Sequence, residues 1–380
     1  MNKTFNKKHY YIREKCCICS TTNLYNLLEC NLESQLSLNM YEHINKNPLI
    51  PYNILICQKC NTAQNKYLGD LKLVYEKNHQ DCFSKTKLDK HNLFKKFILE
   101  NKNIKSIIEP GASEALLAND IVNESNINYT LIEPDICGNV NKNIEVYNDY
   151  LENIDITNLN TDCIVMSDMF EHFYNPIDIL ERIKNSKIKY IILNHPDFDY
   201  AVENFHCIIL NIEHTFLIEH QLLFNLFNNY GFRLNRKKNY YNFSLFLEFE
   251  RTKEYVEKKI LNLNTEYNIN NYVNKMKNIS KNANNFMINN SKKKIYIWPC
   301  SVHSCTLFLF GLDYKKLESI LDNSPNKIGK YLDGYNLYCD SFEKILNNEN
   351  IIIFISGANQ YINELKLNKD EKIKFMDDFF

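Results

Sequence analysis

Two Cys-x-x-Cys pairs near the start of the chain constrain its fold more than any other feature. Cys16 pairs with Cys19, and Cys57 pairs with Cys60. Two thiolates at this spacing can bind one metal ion from a tight turn, and two such turns complete a tetrahedral sulfur site whose usual occupant is Zn²⁺. The alternative is a set of free thiols, and Cys17 offers a second, poorer spacing with Cys19. The paired spacing favours a structural zinc site.

Composition limits the classes of protein to which the chain can belong. The sequence has 380 residues, of which 44% are hydrophobic, enough for the cores of two or three domains. A net charge of -1 creates no overall field that attracts nucleic acid or anionic lipid. The 13 cysteines are an odd number and include clustered pairs, which favours metal binding and free thiols over disulfides.

The ends of the chain and its apolar runs show no targeting or membrane pattern. The first fifteen residues are polar and charged, without the apolar stretch of a signal peptide. The longest apolar runs, such as 351–355, have the length of a strand and are too short to span a bilayer. We therefore expect a cytoplasmic protein with neither a membrane nor a nucleic-acid partner. The sequence specifies no oligomeric state.

The pattern of residues divides the chain into three parts. Residues 1–81 hold the cysteine pairs, and a metal would stabilise a domain too small to bury much apolar surface. Residues 82–290 alternate strands and helices and end in a helical segment rich in lysine and asparagine. Residues 291–380 form a second, smaller α/β unit that opens with a strand at 294–298. We expect a zinc-binding domain, a central α/β domain and a C-terminal α/β domain.

The central part has the alternation of a parallel, doubly wound sheet. Ligands of such sheets lie beyond the carboxyl ends of the strands, and a polar cluster follows each predicted strand. Strands are predicted at 106–109, 129–132, 163–166 and 190–193, and helices at 87–99, 115–122 and 177–183.

The ends of the first three strands predict a cofactor that contains adenosine. Gly111 lets the backbone approach a ligand closely, and Glu133, at the end of the next strand, can accept both hydroxyls of a ribose. NAD is disfavoured because a dinucleotide fingerprint has three glycines, whereas S-adenosylmethionine has no pyrophosphate to bind. We expect this cofactor across Glu109, Gly111 and Glu133, with Asp168 nearby. The alternative is an ordinary βα turn with a solvated glutamate.

Several segments, taken in order, resemble the three-domain sugar C-methyltransferases of deoxysugar pathways. The match covers nearly the whole chain, and it rests on the order and spacing of the motifs. Its segments are the two cysteine pairs with Asn-Thr-Ala-Gln at 61–64, Ile-Glu-Pro-Gly at 108–111, Ile-Glu-Pro at 132–134, the stretch 168–176, Ile-Glu-His at 212–214, Tyr-Gly-Phe at 230–232, and the stretch 321–331.

The resemblance implies a fold and a reaction. It implies a Rossmann-like S-adenosylmethionine domain between a zinc domain and a C-terminal domain, and C-methylation beside the ketone of a nucleotide-linked 4-keto sugar through an enolate. His214 aligns with the proposed base, and Glu213 would orient it or bind substrate. His172 aligns with a histidine that can donate a hydrogen bond to the enolate oxygen, and Tyr75 would close over the substrate. His195, which ends a strand, is the next candidate for the base.

Other interpretations stay open at this point. The same scaffold could methylate a hydroxyl of a sugar or related metabolite, a reaction that needs a base but no ketone. The chain could also bind the cofactor as a scaffold without turnover. In the last part, Asp322 and Lys330 flank a strand end and predict a contribution to binding the nucleotide-linked sugar, against the alternative of a packing module.

Overall fold

The computed structural model describes most of the chain. It covers residues 9–30, 39–44, 50–75, 85–206, 210, 212–240, 244–253, 264–357, 362, 365 and 371–379. Within these ranges no helix combines the length and the apolar character that crossing a membrane requires. The expected boundary between residues 81 and 82 lies in 76–84, outside the described residues.

The first unit is built from short strands, most of them antiparallel. Its central strand is buried along its whole length and leads directly into the second cysteine pair. The elements are β1 (Tyr10–Ile12), β2 (Leu24–Cys30), β3 (Met40–Tyr41), β4 (Tyr52–Cys57), β5 (Ala63–Asn65), β6 (Tyr67–Gly69) and α1 (Leu71–Val74).

The second unit is a seven-stranded sheet with helices on both faces. The central strands are apolar on both sides, as parallel strands covered by helices must be. The elements are α2 (Lys85–Leu99), β7 (Ser106–Pro110), α3 (Leu116–Glu124), β8 (Asn128–Ile132), β9 (Ile144–Tyr147), β10 (Cys163–Ser167), α4 (Pro176–Lys184), β11 (Tyr190–Pro196), α5 (Phe198–Glu203), β12 (Phe216–Leu217), α6 (His220–Asn229), β13 (Phe232–Tyr240) and β14 (Ser244–Arg251).

The strand order of the second unit places its ligand edge. The order is β13-β14-β11-β10-β7-β8-β9. Among the described strands of this sheet, β14 alone runs opposite to all the others. From β7 the chain adds β8 and β9 on one side, and from β10 it adds β11 on the other side. The strand order therefore reverses between β7 and β10, which are parallel. Ligands bind at such a switch point, beyond the carboxyl ends. The unit thus has the Rossmann-like α/β fold that the sequence predicts.

The strands and helices predicted for this unit are present, with ends that differ by one to three residues. The β13–β14 hairpin was not predicted, because β13 is an edge strand with a mostly polar, exposed face. The sequence pattern predicts the long helix over 252–290, which places its start too early in the chain. It begins at Thr265, while Thr252 and Lys253 lie outside any helix.

The third unit is a smaller doubly wound sheet. Its order is β20-β19-β15-β16-β18-β17-β3, with the first five strands parallel. Its elements are α7 (Thr265–Asn289), β15 (Lys294–Trp298), α8 (Val302–Leu309), β16 (Ser319–Asp322), β17 (Tyr331–Leu332), β18 (Leu337–Ser341), α9 (Phe342–Leu346), β19 (Ile351–Ile355) and β20 (Ile373–Phe375). The buried face of α7 lies in the same apolar cluster as β15 and β16, so this helix packs with the third unit.

Strand pairing connects the first unit to both others. In the first unit's sheet, β5 pairs with β12 of the second unit. In the third sheet, β17 pairs with β3 of the first unit. One apolar cluster contains Leu28 and Ile54 of the first unit together with Ile297 of the third. The three units therefore share edges and a core.

Candidate active site and cysteine cluster

The four expected metal ligands converge in the first unit. The Sγ atoms of Cys16, Cys19, Cys57 and Cys60 lie within 4.8 Å of one another. Cys16 is 3.5 Å from Cys60, and Cys19 is 3.5 Å from Cys57. Four sulfurs at 2.3 Å from a tetrahedral Zn²⁺ are about 3.8 Å apart. The donor set and its spacing fit zinc.

Backbone amides of the two turns support thiolates at this cluster. The amides of residues 18 and 19 donate to Cys16 Sγ at 3.4 and 3.5 Å, and those of residues 59 and 60 donate to Cys57 Sγ at 3.4 Å. Burial raises the pKa of Cys19 to about 11, and a bound divalent cation opposes such a shift because it favours the thiolate. Cys17 instead packs in an apolar cluster of the second unit, which removes it from the ligand set.

The loop after β7 approaches the loop after β10 closely. Gly111 has φ +74°, and a Cβ there would lie 2.7 Å from Met169 Sδ. Ser113 also has a positive φ of 48°. A Cβ on Gly138 would lie 2.2 Å from the carbonyl oxygen of Glu114, so the segment after β8 packs tightly on the same loop. A side chain at position 138 would require a backbone shift, whereas at position 111 the Met169 side chain would have to move and the positive φ favours glycine.

Glu133 lies beyond β8 with both carboxylate oxygens in use. Oε2 accepts from the amide of Ser113 at 3.1 Å, and Oε1 accepts from the amide of Asp135 at 3.1 Å. Burial raises the pKa of Glu133, and these two hydrogen bonds oppose that shift. Each carboxylate oxygen has a second lone pair, so the group can still accept hydroxyl donors. The carboxylate keeps acceptor capacity for the ribose contact, which stays a prediction.

Glu109 faces the interior of the sheet. It is buried, and its Oε2 accepts a hydrogen bond from Tyr129 Oη at 2.9 Å. Burial raises the pKa of Glu109 to about 7, against the lowering effect of the Tyr129 hydroxyl. This hydrogen bond thus links the side chains of β7 and β8. A direct contact of Glu109 with the cofactor stays a prediction.

Asp168, at the end of β10, is held by a lysine that the sequence analysis did not single out. Lys90 of α2 donates to its two carboxylate oxygens at 3.0 and 2.8 Å, and Asn194 Nδ2 donates at 2.9 Å. The residue has φ +50°. Lys90 belongs to no sequence motif, so only the packing of α2 over this edge reveals it. The pair presents one cation and one anion beside the Gly111 loop.

Three of the four expected catalytic side chains meet at the same edge. A short 3-10 turn at 170–172 follows β10 and carries His172. Tyr75, the C-cap of α1, places its hydroxyl 2.7 Å from His172 Nδ1. The ring centroids of His172 and His214 are 5.3 Å apart, with an interplanar angle of 70°. Residues far apart in sequence and drawn from two units therefore surround one small region.

Hydrogen bonds to its neighbour fix the position of His214. The amide of Thr215 donates to the carbonyl of Glu171 at 2.9 Å, and its hydroxyl donates to the carbonyl of Phe173 at 2.6 Å. Arg13 Nη1 donates to the carbonyl of Thr215 at 2.6 Å. His214 is buried, and burial lowers its pKa to about 4. The imidazole is neutral at pH 7 and can accept a proton.

Glu213, the fourth expected catalytic residue, is buried beside the phenol of Tyr75. Tyr75 is 37% exposed, but loss of water around its phenol, followed by the charge of Glu213, raises the pKa of Tyr75 above its usual value. Tyr75 therefore stays protonated and can donate a hydrogen bond. The catalytic roles of Tyr75, His172, Glu213 and His214 stay predictions.

Two further residues complete the cluster. Glu171 Oε2 lies 3.2 Å from His195 Nδ1, and Glu171 Oε1 lies 4.0 Å from His214 Nε2. Burial would raise the pKa of Glu171, but the hydrogen bond and charge of His195, with the other imidazoles, lower it to about 2. Glu171 lies in the stretch 168–176 that resembles the family, but the resemblance assigned a role to His172 and none to Glu171. His195 was singled out only as a second candidate base.

The strand end in the third unit differs from its prediction. Asp322 Oδ2 pairs with Lys327 Nζ at 3.2 Å, and Lys327 also donates to the carbonyl of Cys300 at 2.8 Å. Lys330 instead lies 3.7 Å from Glu42 of the first unit. The cation paired with Asp322 at this strand end is therefore Lys327, and a contribution of Asp322 and Lys330 to substrate binding stays a prediction.

A separate groove lies at the opposite edge of the second sheet. Its volume is about 620 Å³, and its lining includes Lys105, Asp162 and Lys189 at the amino ends of the strands. Asp162 accepts from Lys189 Nζ at 3.0 Å and from the amide of Lys105 at 3.2 Å. Asp162 thus neutralises Lys189, and no predicted site residue lines the groove.

Comparison with known proteins gives similar folds at low identity. No protein-family profile matches the sequence, and no curated protein matches it. Among solved structures, the plantazolicin methyltransferase BpumL, in complex with a triazolic desmethylPZN analog and SAH, is 13% identical with a TM-score of 0.37. That match covers 44% of this chain and 85% of BpumL.

Two other similar structures belong to the same class. A putative S-adenosylmethionine dependent methyltransferase from Listeria monocytogenes is 9% identical, with a TM-score of 0.35, and the match covers 43% of this chain and 100% of that one. The Burkholderia thailandensis 1,6-didemethyltoxoflavin-N1-methyltransferase is 7% identical, with a TM-score of 0.35, over 43% of this chain and 78% of that one. At these scores we rest no functional assignment on the likeness.

Proposed function

We propose that the chain is an S-adenosylmethionine-dependent C-methyltransferase that acts beside the ketone of a nucleotide-activated sugar, with a structural Zn²⁺ at the four cysteines. The main support is that Tyr75, His172 and His214 lie close together next to the Gly111 loop. Met169 links the two regions, because it touches the Gly111 position and lies three residues before His172. A cofactor loop thus adjoins a base and two hydrogen-bond donors.

The proposed cofactor contacts follow from the polar groups at the carboxyl edge. The cofactor, when bound, supplies an electrophilic methyl group. Glu133 would accept the ribose hydroxyls, and Gly111 allows the backbone to approach. The ion pair of Lys90 and Asp168 matches a free amino acid, because Lys90 can pair with its carboxylate and Asp168 with its ammonium group.

The proposed chemistry follows from the protonation states. His214 is neutral at pH 7, so its Nε2 can take the proton from the carbon next to the ketone, and the C–H electron pair stays on the substrate as an enolate. Tyr75 is protonated, and by donating to His172 Nδ1 it leaves the proton of that imidazole on Nε2. His172 Nε2–H can then donate to the enolate oxygen. Glu213 would orient the base or bind the sugar.

Replacing Glu133 by alanine should weaken S-adenosylmethionine binding by roughly 1–3 kcal/mol, since charge-assisted hydrogen bonds to the ribose are lost. Calorimetric titration of the full chain measures this directly. Glu318→Ala is the matched control, because Glu318 pairs with Lys294 on the third unit, away from the site. A wild-type protein that binds no S-adenosylmethionine would overturn the proposed function. Equal affinity in wild type and Glu133→Ala would overturn the ribose contact alone.

The third unit would hold the nucleotide of the substrate. Lys327 is the cation at the carboxyl end of β16, so we expect Lys327→Met to weaken binding of a nucleoside diphosphate about tenfold, the loss of one charge-assisted contact. Lys294→Met is the control, since Lys294 pairs with Glu318 at the amino end of β15. Fluorescence or calorimetric titration with nucleoside diphosphates measures the effect. Equal affinities in the two variants would contradict this role.

A further inference from the structure

Glu171 is a buried carboxylate surrounded by imidazoles. It lies in the 3-10 turn after β10 and is 2% exposed. One oxygen lies at hydrogen-bonding distance from His195 Nδ1. The other, Oε1, is buried and accepts no hydrogen bond from any residue that the structure describes. It lies 4.0 Å from His214 Nε2.

We propose that Glu171 is the positioning residue of this site, whose one negative charge holds His195 in place and stabilises the imidazolium that His214 forms when it takes a proton. This inference rests on the proposed function and goes beyond it, because Glu171 touches neither substrate nor cofactor in that scheme. The proposed role accounts for a charged carboxylate whose burial would otherwise have no explanation.

The first support is the ionisation state of Glu171. A carboxyl group with this burial favours its neutral form unless charges or donors oppose the effect. Here the hydrogen bond from His195, followed by the positive charges that the three imidazoles carry once protonated at low pH, lowers its pKa to about 2, so it is an anion at neutral pH. An anion that bonds to His195 through Nδ1 fixes that ring with its proton on Nδ1.

The second support is the low proton affinity of His214. Burial alone makes this imidazole a weak base, with a pKa of about 4, and the charge of Glu171 acts in the opposite direction. Proton transfer converts the pair from one anion beside a neutral ring to an ion pair at 4.0 Å. A charge placed before the reaction stabilises a charge that develops during it without reorganisation. The C–H bond breaks, the N–H bond forms at His214 Nε2, and Glu171 keeps its charge throughout.

Two carboxylates favour the protonated form of His214, and the charge of Glu171 has a larger effect than that of Glu213. The carboxylate of Glu213 lies beside Tyr75, and Arg13 is bound to the backbone carbonyls of residues 174 and 215. Among the described residues, the charged and titratable groups that act on Glu171 or His214 are His195 from β11, His172 from the same turn, Glu213 beside His214 and Tyr75 from the first unit. Tyr174 and Arg13 lie one step further out, beside Tyr75 and Glu213.

The test uses Glu171→Gln, which removes the charge and keeps an acceptor for His195. Imidazole NMR titration of the full chain without substrate should show the midpoint of His214 at least one pH unit lower than in wild type. With a keto-sugar nucleotide that the wild type accepts, exchange of the α-proton should fall roughly 10–100-fold while S-adenosylmethionine affinity stays within twofold. Unchanged titration, or exchange at the wild-type rate, would overturn the proposal.

A second variant covers the case in which Glu171→Gln does not fold. The glutamine in His195→Gln can still donate a hydrogen bond to Glu171, but the variant lacks an imidazole whose positive charge disfavours protonation of His214. The midpoint of the His214 titration should therefore rise. A midpoint that stays or falls would overturn the proposal. Selective broadening of the His172 and His214 resonances by one equivalent of Mn²⁺ would overturn it too, in favour of a metal site. If the titration shifts as expected but the wild type exchanges no proton of any keto sugar, the proposed function fails while the counter-ion role stands.

Discussion

His214→Ala is expected to lower turnover by about 10²–10⁴-fold, the usual contribution of a positioned general base. Removal of a proton next to a ketone is slow in water because the carbon acid is weak, and His214 is the buried, neutral imidazole at the site. The loss should appear in the exchange of the substrate α-proton with deuterated water, measured by NMR without methyl transfer. Affinity for S-adenosylmethionine should stay near the wild-type value, because the cofactor contacts lie elsewhere along the edge.

The control for this experiment is His43→Ala, since His43 is exposed in the first unit and lies outside the cluster. His172→Ala should lower exchange in the same way but less. The wild-type rate should be constant above about pH 5.5 and fall as the pH approaches 4, where His214 becomes protonated. Exchange at the wild-type rate in His214→Ala would transfer the role to another base. A product that carries its methyl group on oxygen would replace the enolate mechanism by O-methylation.

Cys57→Ser should abolish zinc binding and unfold the first unit. A structural zinc site of this type contributes on the order of 10 kcal/mol or more, which exceeds what a unit of this size gains from its core. Elemental analysis should find one zinc per wild-type chain and much less than one in the variant. Affinity for S-adenosylmethionine should change less than the thermal stability, because the predicted cofactor residues lie in the second sheet.

Cys137→Ser is the matched control for the zinc measurement. Cys137 is an exposed thiol of the second unit, so its loss should leave the zinc content unchanged. Wild-type protein that contains no near-stoichiometric metal would contradict the zinc assignment. A Cys57→Ser protein that keeps its metal would show that the four sulfurs are not the ligands.

Much of the second unit could be predicted from local sequence. Strands buried on both faces are short apolar runs, and each is followed by polar residues that mark its carboxyl end. Gly111 and Glu133 could be placed on one edge because parallel strands end together. The Cys-x-x-Cys spacing likewise named its four residues, since the chemistry of the site needs only local turns.

The rest depends on packing between distant segments, which has no local pattern. Lys90 meets Asp168 only because α2 crosses the carboxyl edge. Glu171 gains its environment from His195 on a neighbouring strand and from His214 in a later loop. Strands of two residues, such as β3, are too short to show alternation. The pairing of Asp322 with Lys327 depends on the path of the turn between them, which the sequence pattern does not show.

The pairing of β3 with β17 has a consequence for the order in which the chain acquires structure during synthesis. Residues 40–41 have no strand partner until residues 331–332 leave the ribosome, and β5 lacks β12 until residues 216–217 have emerged. The two cysteine turns are complete once residue 60 has been made. Ion capture by those turns can therefore precede every contact with the later units, while two strand edges stay open to mispairing until the remaining chain is translated.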